Sequence, residues 1–241
     1  MPTVILMAGT GSDDDYLRRS FGPAVTEAGA ELRALAPSAE LIDGYVAALD
    51  AAADAAADAA AAAGETIVVG GVSIGAVVAL RWALDRGGAH CAGVLAALPP
   101  WSGPVGDSLA ALSARATADA VERDGLEPTI AAMAAGSPAW LAAELTRSWR
   151  ALADRDLVGQ LRSAAALTAP TVDEIAELAV PLAVVGSLSD PLHPIEVARD
   201  WVRAAPRAAL TELDLDQWGP APHLLGAACV GAWTELTTGR A

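Results

Sequence analysis

Hydrophobic and polar positions along this chain fall into blocks whose period switches repeatedly. Short aliphatic runs, each closed by Gly or Pro, alternate with longer stretches whose apolar residues recur at helical spacing. Thr3 to Ala8 reads as a buried strand closed by Gly9. Ser12 follows as an N-cap, and Asp13, Asp14 and Asp15 suit the positive end of a helix over Tyr16 to Glu27. Glu31 to Ala36 is a second strand, stopped by Pro37, and Ala39 to Ala63 is helical on propensity alone. In that helix Asp50, Asp54 and Asp58 line one face, which reads as solvated. Glu65 to Gly70 is the strongest strand signal, because Thr66, Ile67, Val68 and Val69 are all β-branched. A buried helix over Ala76 to Asp85 ends at Gly87-Gly88. Further strands follow at Cys91 to Ala97, Val180 to Gly186 and Ala208 to Leu213, with helices at Pro194 to Ala204 and Leu224 to Thr237.

Strands alternating with helices at this spacing predict an α/β fold: a mostly parallel six-stranded sheet with helices on both faces. Ser102 to Thr171 breaks the alternation. It carries no strand signal but several helical patterns, including Ser137-Pro138 as a cap and first helical residue. The division expected is a core of residues 1–101 and 172–241 with a helical cap insertion, 102–171, hinged at Gly103, Gly106, Gly125 and Gly136.

Composition narrows the function. The chain has 241 residues, of which 54% are hydrophobic and 19% charged, so it can bury a full core. No apolar run reaches the roughly 18 residues of a membrane span. The run Val4 to Ala8 has no basic residue before it, which argues against a signal segment and for a cytoplasmic protein. The net charge is −15 and every basic residue is Arg, so no basic stripe exists to bind a phosphate backbone, and neither nucleic acid nor membrane is an expected partner. Without Lys there is no Schiff-base chemistry and no phosphate-loop lysine. Cys91 and Cys229 make neither a disulfide framework nor a zinc cage. His90, His193 and His223 are scattered without H-E-x-x-H spacing, so no metal and no other cofactor is expected.

One motif carries chemistry. Gly71-Val72-Ser73-Ile74-Gly75 joins the strongest strand to a helix as G-x-S-x-G. A serine on so tight a turn needs small neighbours two residues away on either side. The turn lifts its hydroxyl off the sheet and onto a helix N-terminus, where negative charge is favoured. Ser73 is therefore the candidate nucleophile. Trp101, Trp140 and Trp149 lie at the mouth of the insertion or within it, where they either line an apolar acyl site or, the better reading, pack cap onto core.

With these features the chain resembles the α/β-hydrolase superfamily over roughly Val4 to Leu236. The resemblance rests on Met7-Ala8-Gly9-Thr10-Gly11 after the first strand, the elbow at Ser73, the helical insertion, Gly186-Ser187-Leu188-Ser189-Asp190-Pro191 after a later strand, and a late histidine. The family usually has one or two extra strands before the strand that leads into the glycine loop, and this chain starts at that strand, which implies a minimal sheet. The chain also has Ala8-Gly9 where His-Gly is common, which leaves a backbone donor in place. The resemblance implies a serine hydrolase acting on a small carboxylic ester or thioester. Ser73 would be the nucleophile, Asp190 the acid and His223 the base, with the Thr10 and Ile74 amides as the oxyanion hole. Asp214 and Asp216 are poorer candidates for the acid. His223 comes later after the last strand than is usual, since the customary position falls near Trp218-Gly219, and His193 on the Asp190 loop is the alternative base. His90 reads as structural. Two other readings stay open: a non-hydrolytic binding module with an incomplete triad, and an acyltransferase or lyase on the same scaffold.

Overall fold

The computed structural model describes residues 3–63, 66–86 and 90–239, without the side chains of 58–63. Its centre is a six-stranded, fully parallel sheet. The strands are β1 (Thr3–Met7), β2 (Glu31–Leu35), β3 (Ile67–Val72), β4 (Cys91–Ala97), β5 (Leu182–Ser187) and β6 (Ala208–Leu213), in the spatial order β2-β1-β3-β4-β5-β6. The winding reverses between β1 and β3, which pair in register from Thr3 opposite Ile67 to Met7 opposite Gly71. In an open parallel sheet the crevice at such a reversal, beyond the C-terminal ends of the strands, is where ligands bind. The loop after β1 and the turn after β3 both open there.

Alternating strand residues feed two cores. Val4, Leu6, Val68, Leu95, Ala183 and Val185 pack under α1 (Asp14–Glu27) and the last helix, through Leu17, Phe21, Val25, Leu225 and Cys229. Ile5, Met7, Val69, Val94, Ala96 and Val184 face α2 (Leu41–Ala63) and α3 (Ile74–Arg86) on the other side. Between β4 and β5 the chain forms α4 (Leu109–Asp124), α5 (Leu126–Ala135), α6 (Ala139–Leu152), a 3-10 turn at Ala153–Arg155, α7 (Leu157–Ala164) and the short α8 (Val172–Ile175). No strand occurs in 102–171. The apolar contacts of this insertion, among them Ala114, Ile130, Trp149, Leu152 and Leu161, run without a break into the α2–α3 side of the core. Beyond β5 lie α9 (Ile195–Ala204), α10 (Leu215–Trp218) and α11 (His223–Thr238). Among the described residues no helix is long and apolar enough to cross a membrane.

Several local expectations shift. The cap of α1 is Asp13, not Ser12: its carboxylate accepts from the Tyr16 amide at 3.0 Å, while the Ser12 amide closes a turn onto the Gly9 carbonyl. Pro138, not Ser137, is the residue before α6, and no side chain caps that helix. Asp50 is not merely solvated, because it accepts from the Trp82 indole at 2.8 Å and pairs with Arg86, tying α2 to α3. The Asp58 side chain, the start of the third strand at Glu65 and the helix stop at Gly87-Gly88 lie outside the described residues. Of the four hinge glycines, Gly103, Gly106 and Gly125 adopt positive φ (65°, 50° and 87°), whereas Gly136 sits at −102°.

Candidate active site

The Ser73 turn is tight for reasons written in its neighbours. Ser73 has φ +55°, a left-handed conformation that costs a non-glycine residue roughly 1–3 kcal/mol and persists only where the surroundings enforce it. Its amide donates to the Ala97 carbonyl at 2.8 Å, and its carbonyl accepts from Ala76 and Val77 at 3.0 and 3.3 Å. A Cβ at Gly71 would stand 2.5 Å from the Met7 oxygen, and one at Gly75 would overlap that oxygen and lie 2.7 Å from its carbonyl carbon. Both glycines are therefore required where β3 turns into α3 against β1. The result leaves the Ser73 side chain half-buried at the sheet's C-terminal edge.

The group that meets it is His193. Its Nε2 lies 2.9 Å from Ser73 Oγ, and its Nδ1 lies 2.7 Å from Asp190 Oδ2. Asp190 and His193 share the loop Asp190-Pro191-Leu192-His193-Pro194 after β5. Asp190 Oδ1 accepts from the Leu192 amide at 2.9 Å, which closes an Asx-turn, so Oδ2 is left for the imidazole. Pro191 and Pro194 stiffen the loop, and Pro194 is the residue immediately before α9. The side chains of His193 and Asp190 are only 15% and 8% exposed. Burial raises the Asp190 carboxyl, but the hydrogen bond and charge of His193 and the loop amides outweigh it and hold the group below its usual range. With Asp190 ionised, the consistent tautomer has Nδ1–H donating to Asp190 and Nε2 accepting from the Ser73 hydroxyl.

His223 is not in this constellation. It is the exposed first residue of α11, and the contacts expected of it, to Ser73 and Asp190, are made by His193. At the customary histidine position stands Trp218, which is 6% exposed. Its indole N–H donates to Ser187 Oγ at 3.1 Å, and its ring meets Trp140 of α6 edge-on, with centroids 5.9 Å apart. Trp101 donates to the Leu167 carbonyl, and Trp149 packs over Gly11, so these two and Trp140 each join residues 102–171 to the rest of the chain.

The Ile74 amide opens α3, and the first amides of a helix have no partner within it. Neither it nor the Thr10 amide has a hydrogen-bond partner among the described residues. Gly9 brings the Thr10 loop against the elbow: a Cβ there would lie 3.2 Å from the Val72 carbonyl oxygen and 3.3 Å from Ser73 Cβ. Among the described residues no three His, Cys, Asp or Glu side chains gather as a metal site. Cys91 and Cys229 are buried, and burial pushes both thiols up, that of Cys91 to about 11.

No protein-family model matches this chain, and no curated protein sequence does. Solved structures do. MenH from S. aureus is similar at 13% identity, covering 98% of this chain and 94% of its own, with a TM-score of 0.72. A bromoperoxidase from Bacillus anthracis is similar at 15% identity, covering 97% and 92%, with a TM-score of 0.71. An esterase from Exiguobacterium antarcticum is similar at 13% identity, covering 93% and 90%, with a TM-score of 0.69. At such identities the likeness is one of architecture, and it is carried by nearly the whole chain: the protein has the α/β-hydrolase fold.

Proposed function

We propose that this protein is a serine hydrolase that transfers the acyl group of a small carboxylic ester or thioester to water, with Ser73, His193 and Asp190 as its triad. The observation that carries this reading is the unbroken hydrogen-bonded chain from Ser73 Oγ through both nitrogens of His193 to Asp190, at 2.9 and 2.7 Å. In the first step Ser73 Oγ attacks the substrate carbonyl carbon while His193 Nε2 takes its proton. The imidazolium is stabilised by Asp190 through Nδ1–H. The carbonyl oxygen becomes an oxyanion facing the Thr10 and Ile74 amides. Collapse breaks the bond to the leaving alcohol or thiol, which takes the proton from Nε2. Water then attacks the acyl-serine, giving its proton to Nε2. Cleavage of the acyl–Oγ bond returns that proton to Ser73 and releases the acid.

In this reading residues 102–171 are a helical cap, whose α6 rests beside the β1 loop. The binding-module alternative requires an incomplete triad, which the geometry at Ser73 disfavours. Nothing particular favours an acyltransferase or a lyase. Esterases among the similar folds agree with the reading but do not carry it. The test is labelling with a fluorophosphonate probe. The parent protein should label at one serine, and Ser73→Ala should abolish both labelling and hydrolysis of p-nitrophenyl butyrate. An unlabelled, inactive parent protein would return the binding-module reading.

A further inference from the structure

The loop that presents the Thr10 amide is held from several directions, and three of its anchors come from α6. Tyr45 of α2 donates to the Ala8 carbonyl at 3.4 Å, and Gly9 abuts Ser73. Ser148 of α6, fully buried, donates to the Gly11 carbonyl at 2.7 Å. Its neighbour Trp149 covers Gly11 so closely that a Cβ there would lie 2.8 Å from the indole nitrogen. Its other neighbour, Arg147, grips Asp13 with both terminal nitrogens, at 2.6 Å to Oδ2 and 2.8 Å to Oδ1. Asp13 is 5% exposed and caps α1, so this ion pair fixes where the loop ends. Glu144, one turn earlier on α6, accepts from Arg147 at 2.6 Å and from Arg19 of α1 at 2.7 Å, completing a network across the junction. Thus Arg147, Ser148 and Trp149, three consecutive residues of α6, contact Asp13 and Gly11.

This bears on chemistry because of what Thr10 lacks. Its amide has no hydrogen-bond partner among the described residues, so only the flanking peptides fix its direction. Gly11 has φ +70° and no side chain of its own to lock it. Resting on the hydrolase reading above, we infer that Arg147 and Ser148 of the insertion are positioning residues for the oxyanion hole: by holding Asp13 and the Gly11 carbonyl they aim the Thr10 N–H at the developing oxyanion. Docking of α6 and competence of the hole are then one event. A hole built this way exists only while the insertion is seated.

A lost oxyanion donor costs about 10²–10³ in kcat, and a misdirected one part of that. The experiment compares the full-length parent with Ser148→Ala, Ser148→Thr, Arg147→Met and Arg147→Lys. Its readouts are steady-state kinetics on p-nitrophenyl butyrate, the rate of fluorophosphonate labelling of Ser73, and melting temperature. Ser148→Ala and Arg147→Met should lower kcat about tenfold or more with KM within about twofold. Labelling should slow by the same factor, because the phosphonyl oxygen needs the same donors. The pH–rate profile should keep its position, since His193 and Asp190 are untouched. Ser148→Thr, which keeps the hydroxyl, should restore most of the rate. If Arg147→Met does not fold, Ser148→Ala decides alone, as it removes one oxygen from an intact helix. Variants that melt earlier yet label Ser73 at the parent's rate would overturn the inference while leaving the hydrolase reading in place. A parent that neither labels nor hydrolyses would remove both.

Discussion

Replacing His193 with alanine removes the acceptor 2.9 Å from Ser73 Oγ and leaves the serine proton with no base. Residues of such a unit fail together, and the loss on removing the base is about a millionfold in kcat. At about 1.36 kcal/mol per tenfold, that is about 8 kcal/mol of transition-state stabilisation. Asp190→Asn gives a sharper test, because the geometry dictates which proton goes wrong. The carboxamide oxygen would keep the Leu192 amide bond now made at 2.9 Å. The amide nitrogen would then face His193 Nδ1, where Oδ2 now sits at 2.7 Å. A donor there stabilises the tautomer protonated on Nε2, which cannot take the serine proton. The expected loss is about 10⁴ in kcat, or about 5 kcal/mol. His223→Ala, by contrast, trims an exposed side chain at the start of α11 and should stay within about twofold of the parent. The assay is hydrolysis of p-nitrophenyl butyrate, with circular dichroism to confirm folding. A His193→Ala protein that keeps more than a tenth of the parent's kcat, or a crippling His223→Ala, would refute the assignment of the base.

Two further perturbations follow from the packing. Gly75→Ala drives a methyl into the Met7 carbonyl and should lower the melting temperature by roughly 2–12 °C, from about 1–3 kcal/mol of overpacking, with loss of Ser73 labelling; an unshifted melting curve would contradict the tight elbow. Glu174 is held down to about 2 by the Arg81 guanidinium first and then by the Thr171 amide and hydroxyl, so its contribution to stability is present above about pH 4.5 and fades as pH falls from there toward 2. Glu174→Gln should therefore melt earlier than the parent at pH 7 in low salt, and the gap should close on acidification through that window and narrow in high salt.

What the sequence made legible was whatever is decided locally. β4 and β6 span the residues read as strands from the sequence, Cys91–Ala97 and Ala208–Leu213, and the elbow is readable because its constraint acts across five consecutive residues, Gly71 to Gly75. α8 and α10 went unread because four residues are too few to show a helical period. That His193, the alternative base in the sequence reading, and not His223 lies against Ser73 has a tertiary reason. β4 lies between β3 and β5, and adjacent strands are spaced about 4.8 Å apart, so a side chain from the β5 loop must reach across the end of β4, roughly 10 Å, to touch Ser73. No periodicity encodes that reach. The customary place for the histidine, near Trp218, is instead spent on packing: the indole seals against Ser187 and against Trp140 of the insertion. Yet one signal was present. Asp190-Pro191-Leu192-His193-Pro194 places a carboxylate three residues before an imidazole, with two prolines that restrict the turn. A pair so close in the chain gives up little entropy to meet, since the loop to be closed is nearly the shortest available. A carboxylate and a histidine paired that cheaply need only be carried as a unit to the serine, whereas His223 would have had to find both partners from α11. Where an acid and an imidazole stand within one turn of each other at the C-terminal end of a strand, that local pair outweighs the position a family custom assigns.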